Sequence, residues 1–235
     1  MRAEPERPAF YALGRGRASE LVTLLHPPYT AWHVSYFALG AAVAPQLYVN
    51  RLLWGIAAFA LAVGVAAHAL DELHDRPLRT GLSDRALIAL AIGVAGAITV
   101  SPWLVPLIAI GGAFVPAYNL EWIGGRMHGD VWFALGWGAF PAFTGYFVES
   151  LRVALPGVLI ALGCTALSVA QRRLSTPARE LRRRTRSIAG VRTLADGRTE
   201  ELSLPVLLAP LDGALAALSL AVVVTACALV AARLY

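Results

Sequence analysis

Apolar runs of membrane-spanning length constrain this chain more than any other feature. A helix rises about 1.5 Å per residue, so roughly 18–20 apolar residues cross the hydrocarbon core of a bilayer. Seven stretches approach or exceed that length: 31–49, 52–70, 86–100, 103–119, 131–148, 153–170 and 204–233. Only Ser101-Pro102 separates the third from the fourth, and proline cannot continue a helix without losing a hydrogen bond. The last is long enough to be tilted, bent near Pro210 or partly interfacial. The composition agrees, with 57% apolar and 15% charged residues against about 45–50% and 25% in soluble domains. The expectation is an all-α, polytopic transmembrane bundle of about seven spans over 31–235, preceded by a polar N-terminal segment, 1–30.

Charge sets the orientation. All 20 basic residues are arginine and none is lysine, the pattern of codon bias rather than of nucleic-acid binding, so no nucleic acid is expected as partner. With alternating spans, one side holds the N-terminal segment and the loops after spans two, four and six. These carry 4, 3, 1 and 9 arginines, and only Arg51, Arg152 and Arg233 fall on the other side. Cytoplasmic loops collect positive charge, which places the N-terminus in the cytoplasm and the C-terminus outside an inner or plasma membrane. The first 29 residues lack the apolar core of a signal peptide. Cys164 and Cys227 lie inside apolar runs and suggest neither a disulfide nor zinc.

The one sizeable extramembrane segment is 171–203. Its first half reads as a basic helix. Its second half places Asp196-Gly197 between short strand-like runs, the signal of a hairpin with a type I′ turn.

The residues with most chemistry follow span two. On a continued helix, His68, Asp71, Glu72 and Asp75 sit at i, i+3, i+4 and i+7 and share one face, with His74 off it. Three carboxylates and an imidazole at a bundle mouth repel one another unless a cation neutralises them. Hard oxygen ligands suit Mg²⁺, which binds through carboxylates and substrate phosphates. The bland reading is a helix end meeting water; Pro77 and Gly81 break the helix just beyond.

Three segments carry a family likeness. They are Leu25-His-Pro-Pro-Tyr-Thr30; Asp71-Glu-Leu-His-Asp75 followed by Arg76-Pro-Leu-Arg-Thr-Gly-Leu-Ser83; and Tyr118-Asn-Leu with Gly136-Trp-Gly138, Pro141 and Gly145-Tyr146. In these the chain resembles the UbiA-type superfamily of intramembrane prenyltransferases, over roughly residues 20–170. The resemblance implies a helical bundle with a cavity open to lipid, and Mg²⁺ on the first aspartate motif binding an isoprenyl diphosphate. A lipophilic acceptor would receive the prenyl group. Two alignments are open: Asp71, Glu72 and Asp75 match the family's three motif positions, or His68, Asp71 and Asp75 do. The family's second aspartate motif has no counterpart, because 172–186 holds one acid and seven arginines. The chain also ends sooner than family members usually do.

Prenyl transfer ionises an allylic C–O bond, and the leaving diphosphate needs cations aimed at its oxygens. Guanidinium forks suit that task. On a helix, Arg179, Arg182, Arg183 and Arg186 lie at i, i+3, i+4 and i+7 and form one face, with Arg184 off it. The bland reading is a solvated basic loop near anionic headgroups. Tyr118 and Asn119, at the cytoplasmic end of span four, are the preferred pocket members, and Arg126 follows in the next loop. Asp212 lies inside the last span, where an ionisable group is costly unless it faces a cavity or a partner. His33, inside the first span, is weaker and reads equally as a hydrogen-bonded core histidine. The functional expectation is an Mg²⁺-dependent enzyme that transfers or cyclises an isoprenyl group. The alternative is a catalytically silent relative that acts as a scaffold or lipid-binding partner. A transporter is a third reading, weakened by the lack of an inverted repeat.

Overall fold

The computed structural model describes residues 11, 16–75, 81–88 and 104–235. The fold is all-α apart from one small hairpin. A short α1 (Arg17–Leu24) leads into α2 (Pro27–Ala42). Next comes α3 (Val49–Phe59), a π-helical stretch (Ala60–Ala67) and α4 (His68–Asp75), forming one continuous rod. After α5 (Val105–Asn119) and a 3₁₀ turn (Arg126–His128) come α6 (Asp130–Ala134), a second π stretch (Leu135–Ala139) and α7 (Phe140–Ser150). Two long helices close the chain, α8 (Leu155–Arg183) and α9 (Leu204–Leu234), with strands β1 (Val191–Thr193) and β2 (Thr199–Glu201) between them.

Among the described residues, four helices are long and apolar enough to cross a membrane: Val49–His74, Asp130–Ser150, Leu155–Arg183 and Leu204–Leu234. That is a coarser result than seven spans. The expected first span is the 16-residue α2, displaced toward the N-terminus because Pro27 and Pro28 occupy its first turn, where a missing N–H costs nothing. The fourth is the 15-residue α5. Most of the third lies outside the described residues. Side chains such as Leu53, Trp54, Leu155, Leu162 and Leu220 are exposed on the outer surface, as a lipid-facing surface requires.

Helix α2 is the hub. It packs most extensively on α7 and α9, around a core of Trp32, Tyr36, Phe37, Ala41, Ala142, Cys164, Val222 and Ala226. Glycines set the α2–α7 crossing. A Cβ at Gly40 would meet the Ala142 carbonyl oxygen at 1.8 Å, and one at Gly145 the Phe37 carbonyl oxygen at 2.0 Å. Small residues let backbones approach this closely where lipid supplies no hydrophobic drive to helix association.

The basic helix and the hairpin expected in 171–203 both form, each with one difference. The basic half is the direct continuation of α8, which runs unbroken through Pro177 to Arg183. Arginine is a good helix former, so the change from apolar to basic sequence does not end the helix. The hairpin forms, with Val191 opposite Glu201, but not on a type I′ turn. The Gly197 N–H donates to the Leu194 carbonyl and the Leu194 N–H to the Arg198 carbonyl, with Gly197 at φ 84°. That is a three-residue loop with glycine in the left-handed position.

Candidate functional site

The ends of α2, α4, α5, α8 and α9 bring their polar side chains together at one end of the bundle. The rod Val49–Asp75 delivers the acidic cluster there. Its π stretch packs Gly64 against Thr30 of α2, and single π segments often mark functional places in helices. His68 lies in the first turn of α4 and stacks on His26 at 4.2 Å between ring centroids. The Tyr11 hydroxyl lies 2.6 Å from His26 Nδ1. Burial, and then His68, Arg183 and Arg179, push the His26 imidazole well below its ordinary pKa, so it is neutral at physiological pH. Burial, with Tyr29 adding to it, pushes the Tyr11 hydroxyl well above its usual range.

Asp71 faces inward, within Coulombic reach of His128, Arg179, Arg183 and Glu72. Arg179 is also in reach of Tyr118 and Tyr29. Arg182 forms an ion pair with Asp212 of α9. Arg183 Nε and Asp212 Oδ1 are buried without a partner. Thus the acidic turn of α4 and the basic end of α8 lie within Coulombic reach of each other. The residue that lies off the pattern is Arg186. It follows the end of α8, is exposed, and lines a cavity of about 260 Å³ beneath the hairpin with Thr185, Ser187 and Ser203.

Below this charged layer lies an aromatic one. Tyr118 stacks on His128 at 4.5 Å and meets Trp137 edge-on at 5.6 Å. Phe114 sits 5.6 Å from Tyr118 and from Trp137. Phe133 and His33 complete the group, His33 lying 5.9 Å from Trp137 with its Nδ1 unpartnered. Arg172 ties the two layers together. It donates to Asp130 at 2.9 Å, to the Tyr118 hydroxyl at 3.1 Å and to the His128 carbonyl at 3.3 Å, and lies over the Phe133 ring.

Other expected members sit differently. Asn119 is buried, but its amide donates back to the Val115 carbonyl at 2.7 Å. Arg126 is exposed; His128 of the same 3₁₀ turn is the residue that packs against Tyr118. Glu72 is fully buried. The side chain of Asp75 lies outside the described residues. Among the described residues no three His, Cys, Asp or Glu side chains converge as a metal cage. His68 packs on His26 and Glu72 is buried, so the shared helix face does not become a shared coordination point. The donor set fits Mg²⁺ only in its phosphate-bridged mode, with one or two carboxylates and the rest of the shell from substrate and water. Sequence reading missed His26, His128 and Arg172 as site members.

The arrangement defines a class: a multi-helix protein with helices long and apolar enough to cross a membrane, and a guanidinium- and imidazole-rich site beside a buried aromatic cluster at one end. No protein-family model, curated protein or solved structure matches the chain.

Proposed function

We propose that the chain is a divergent UbiA-like membrane enzyme that transfers or cyclises an isoprenyl group from an isoprenyl diphosphate. One observation carries this reading: Asp71 lies within Coulombic reach of Arg179 and Arg183, and both Asp71 and Arg179 lie within reach of Tyr118, whose ring packs on Trp137. In this reading Arg179 and Arg183 hold the diphosphate oxygens through paired hydrogen bonds. Asp71, with Asp75, would hold Mg²⁺, which supplies further positive charge to the leaving group. The faces of Tyr118 and Trp137 stabilise the allylic cation and exclude water. The acceptor forms the new bond and loses its proton to a neutral imidazole, for which His26 is suited by its depressed pKa.

Ligand linkage tests it. Geranylgeranyl diphosphate with Mg²⁺ is expected to raise the melting temperature of the purified protein by several degrees at saturation. Asp71→Ala is expected to remove the Mg²⁺-dependent part. Arg179→Gln is expected to weaken binding about tenfold to a hundredfold, the loss of a charge-assisted phosphate contact. Equal stabilisation of all three proteins would refute the site.

A second reading, a silent lipid-binding relative, is favoured by the engagement of Arg172 and Arg182 with protein carboxylates. It predicts diphosphate binding with no turnover.

The seven-pass, N-in arrangement belongs to the same proposal. The polar site and the arginine-rich segments share one end; α2, α7 and α9 run away from it, and the rod 49–75 and α8 run back to it. A reporter that is active only outside the cytoplasm is expected to work when fused after Tyr235 and to be silent when fused before Met1. The opposite pattern would invert the orientation.

A further inference from the structure

The opposite end of the bundle carries a second polar constellation that the proposed chemistry does not use. A cavity of about 430 Å³ lies there, lined by Pro45, Gln46, Tyr48, Glu149, Ser150 and Arg152. All three arginines outside the basic segments gather around it. Arg51 donates at 3.2 Å to the carbonyls of Val148 and Glu149 and lies over the Tyr48 ring. Arg233 donates to the carbonyls of Ala44 and Pro45 at 3.1 and 2.7 Å. Both therefore satisfy carbonyls left over at helix ends, a structural task.

Two charged groups remain without such a task. Glu149 is only 3% exposed. Its Oε2 accepts the Tyr48 N–H at 2.8 Å, and its Oε1 has no partner. Arg51 is within Coulombic reach but is engaged by the Val148 and Glu149 carbonyls, and no side chain pairs with the carboxylate among the described residues. A buried carboxylate with one hydrogen bond is costly and favours a cationic donor as partner. Arg152 is exposed, lines the same cavity, and its guanidinium has no protein partner among the described residues. A carboxylate with one oxygen unpartnered and a guanidinium with no protein acceptor, in a single cavity, select a zwitterion.

We propose that this cavity holds the phosphoethanolamine headgroup of a membrane lipid, its ammonium on Glu149 Oε1 and its phosphate on Arg152. A primary ammonium brings three N–H donors to the carboxylate, and guanidinium suits a phosphodiester. A choline headgroup has no N–H to donate, and a glycerol headgroup has no cation. The lipid, rather than a soluble headgroup, is indicated by what borders the cavity. The first turns of α3 and α8 rise from it with Val49, Leu53, Leu155 and Leu159 exposed, an apolar track for acyl chains. The site lies away from the diphosphate site, and its test does not depend on that reading.

The test is lipid retention. The full-length protein is reconstituted in phosphatidylcholine nanodiscs containing a minor fraction of either phosphatidylethanolamine or phosphatidylglycerol, released, and its bound lipids are counted by native mass spectrometry. Wild type is expected to enrich phosphatidylethanolamine about tenfold over phosphatidylcholine. Glu149→Gln keeps an acceptor for Tyr48 N–H and removes the charge, so the enrichment is expected to vanish. Arg152→Gln, an exposed change that leaves the fold alone, is expected to lower retention of both lipids while keeping their ratio. Equal retention of ethanolamine and choline lipids by wild type, or unchanged enrichment in Glu149→Gln, overturns the proposal. So does phosphatidylglycerol retained as well as phosphatidylethanolamine. Competition by chain-free glycerophosphoethanolamine as strong as by the lipid would make the site one for a soluble zwitterion and overturn the lipid assignment.

Discussion

Gly145→Ala is expected to destabilise the protein by about 3 kcal/mol, the upper part of the range for an overpacked contact. Gly145→Leu is expected to prevent the bundle from assembling. The reason is the identity of the atoms that a new Cβ would meet. At Gly145 they are the Phe37 carbonyl oxygen at 2.0 Å, the Phe37 carbonyl carbon at 2.9 Å and the Ala41 nitrogen at 3.0 Å. At Gly40 they are the Ala142 carbonyl oxygen and carbon and the Tyr146 nitrogen. All are backbone atoms, so no side chain can rotate away. The α2–α7 crossing itself must open, and with it the core around Tyr36, Phe37 and Ala142. Gly163→Ala is the matched control. It makes the same chemical change on α8, and a Cβ there meets nothing within 4 Å. With no new contact and a better helix former, it is expected to be neutral or slightly stabilising. Thermal unfolding in detergent checks both. A Gly145→Ala protein that melts with wild type would mean that the crossing does not hold the bundle together.

How far the architecture could be read from sequence depends on whether a local or a nonlocal cause decides each part. Hydropathy over 52–70 located a helix long and apolar enough to cross a membrane, and helical periodicity placed His68, Asp71 and Glu72 on the same short helix. These are local properties. Helix ends were read less well. Apolar content put the first span at residue 31, whereas Pro27 and Pro28 begin α2 four residues earlier because their rings fit the first turn. Charge content set 172–186 apart as a basic helix of its own, whereas it continues α8 as far as Arg183 and stops before Arg186. Three of the four arginines on the expected face therefore belong to α8 and one does not.

The site was legible in its charges and not in its partners. Asp71 and the α8 arginines stood out because ionisable residues beside apolar spans are rare. Arg172 did not stand out among its neighbours. Its contacts reach Tyr118, His128 and Asp130, which lie 42 to 54 residues away in the chain, and no local pattern encodes them. His26 and Tyr29 sat inside a segment noted for its family likeness, yet nothing local told that His26 would lie against His68. The local signal for His128 is its turn: the Gly124-Gly125 pair takes positive φ, and His128 lies back against Tyr118 of α5.

The ion pair between Arg182 and Asp212 separates stability from ligand binding. Asp212→Leu is expected to cost about 3 kcal/mol, because it leaves a guanidinium that is 12% exposed without its counter-charge. Arg182→Met is expected to cost a similar amount, since the half-buried Asp212 carboxylate would lose the donor on Oδ2; its buried Oδ1 already has none. Removing both charges, as Arg182→Met with Asp212→Leu, is expected to return stability to within about 1 kcal/mol of wild type. An apolar pair of similar volume carries no desolvation cost. Diphosphate binding is expected to respond differently. Arg182 and Asp212 both lie within Coulombic reach of Tyr29, as do Arg179 and Arg183, so the guanidinium belongs to the same charged layer. If Arg182 contacts a diphosphate, the double variant stays weak in binding although it is stable. If the pair serves only to join α8 to α9, binding recovers together with stability. Melting temperatures of the four proteins, each with and without geranylgeranyl diphosphate, complete the cycle. A double variant that is stable and fully stabilised by ligand would remove Arg182 from the site and leave Arg179 and Arg183 to hold the phosphate.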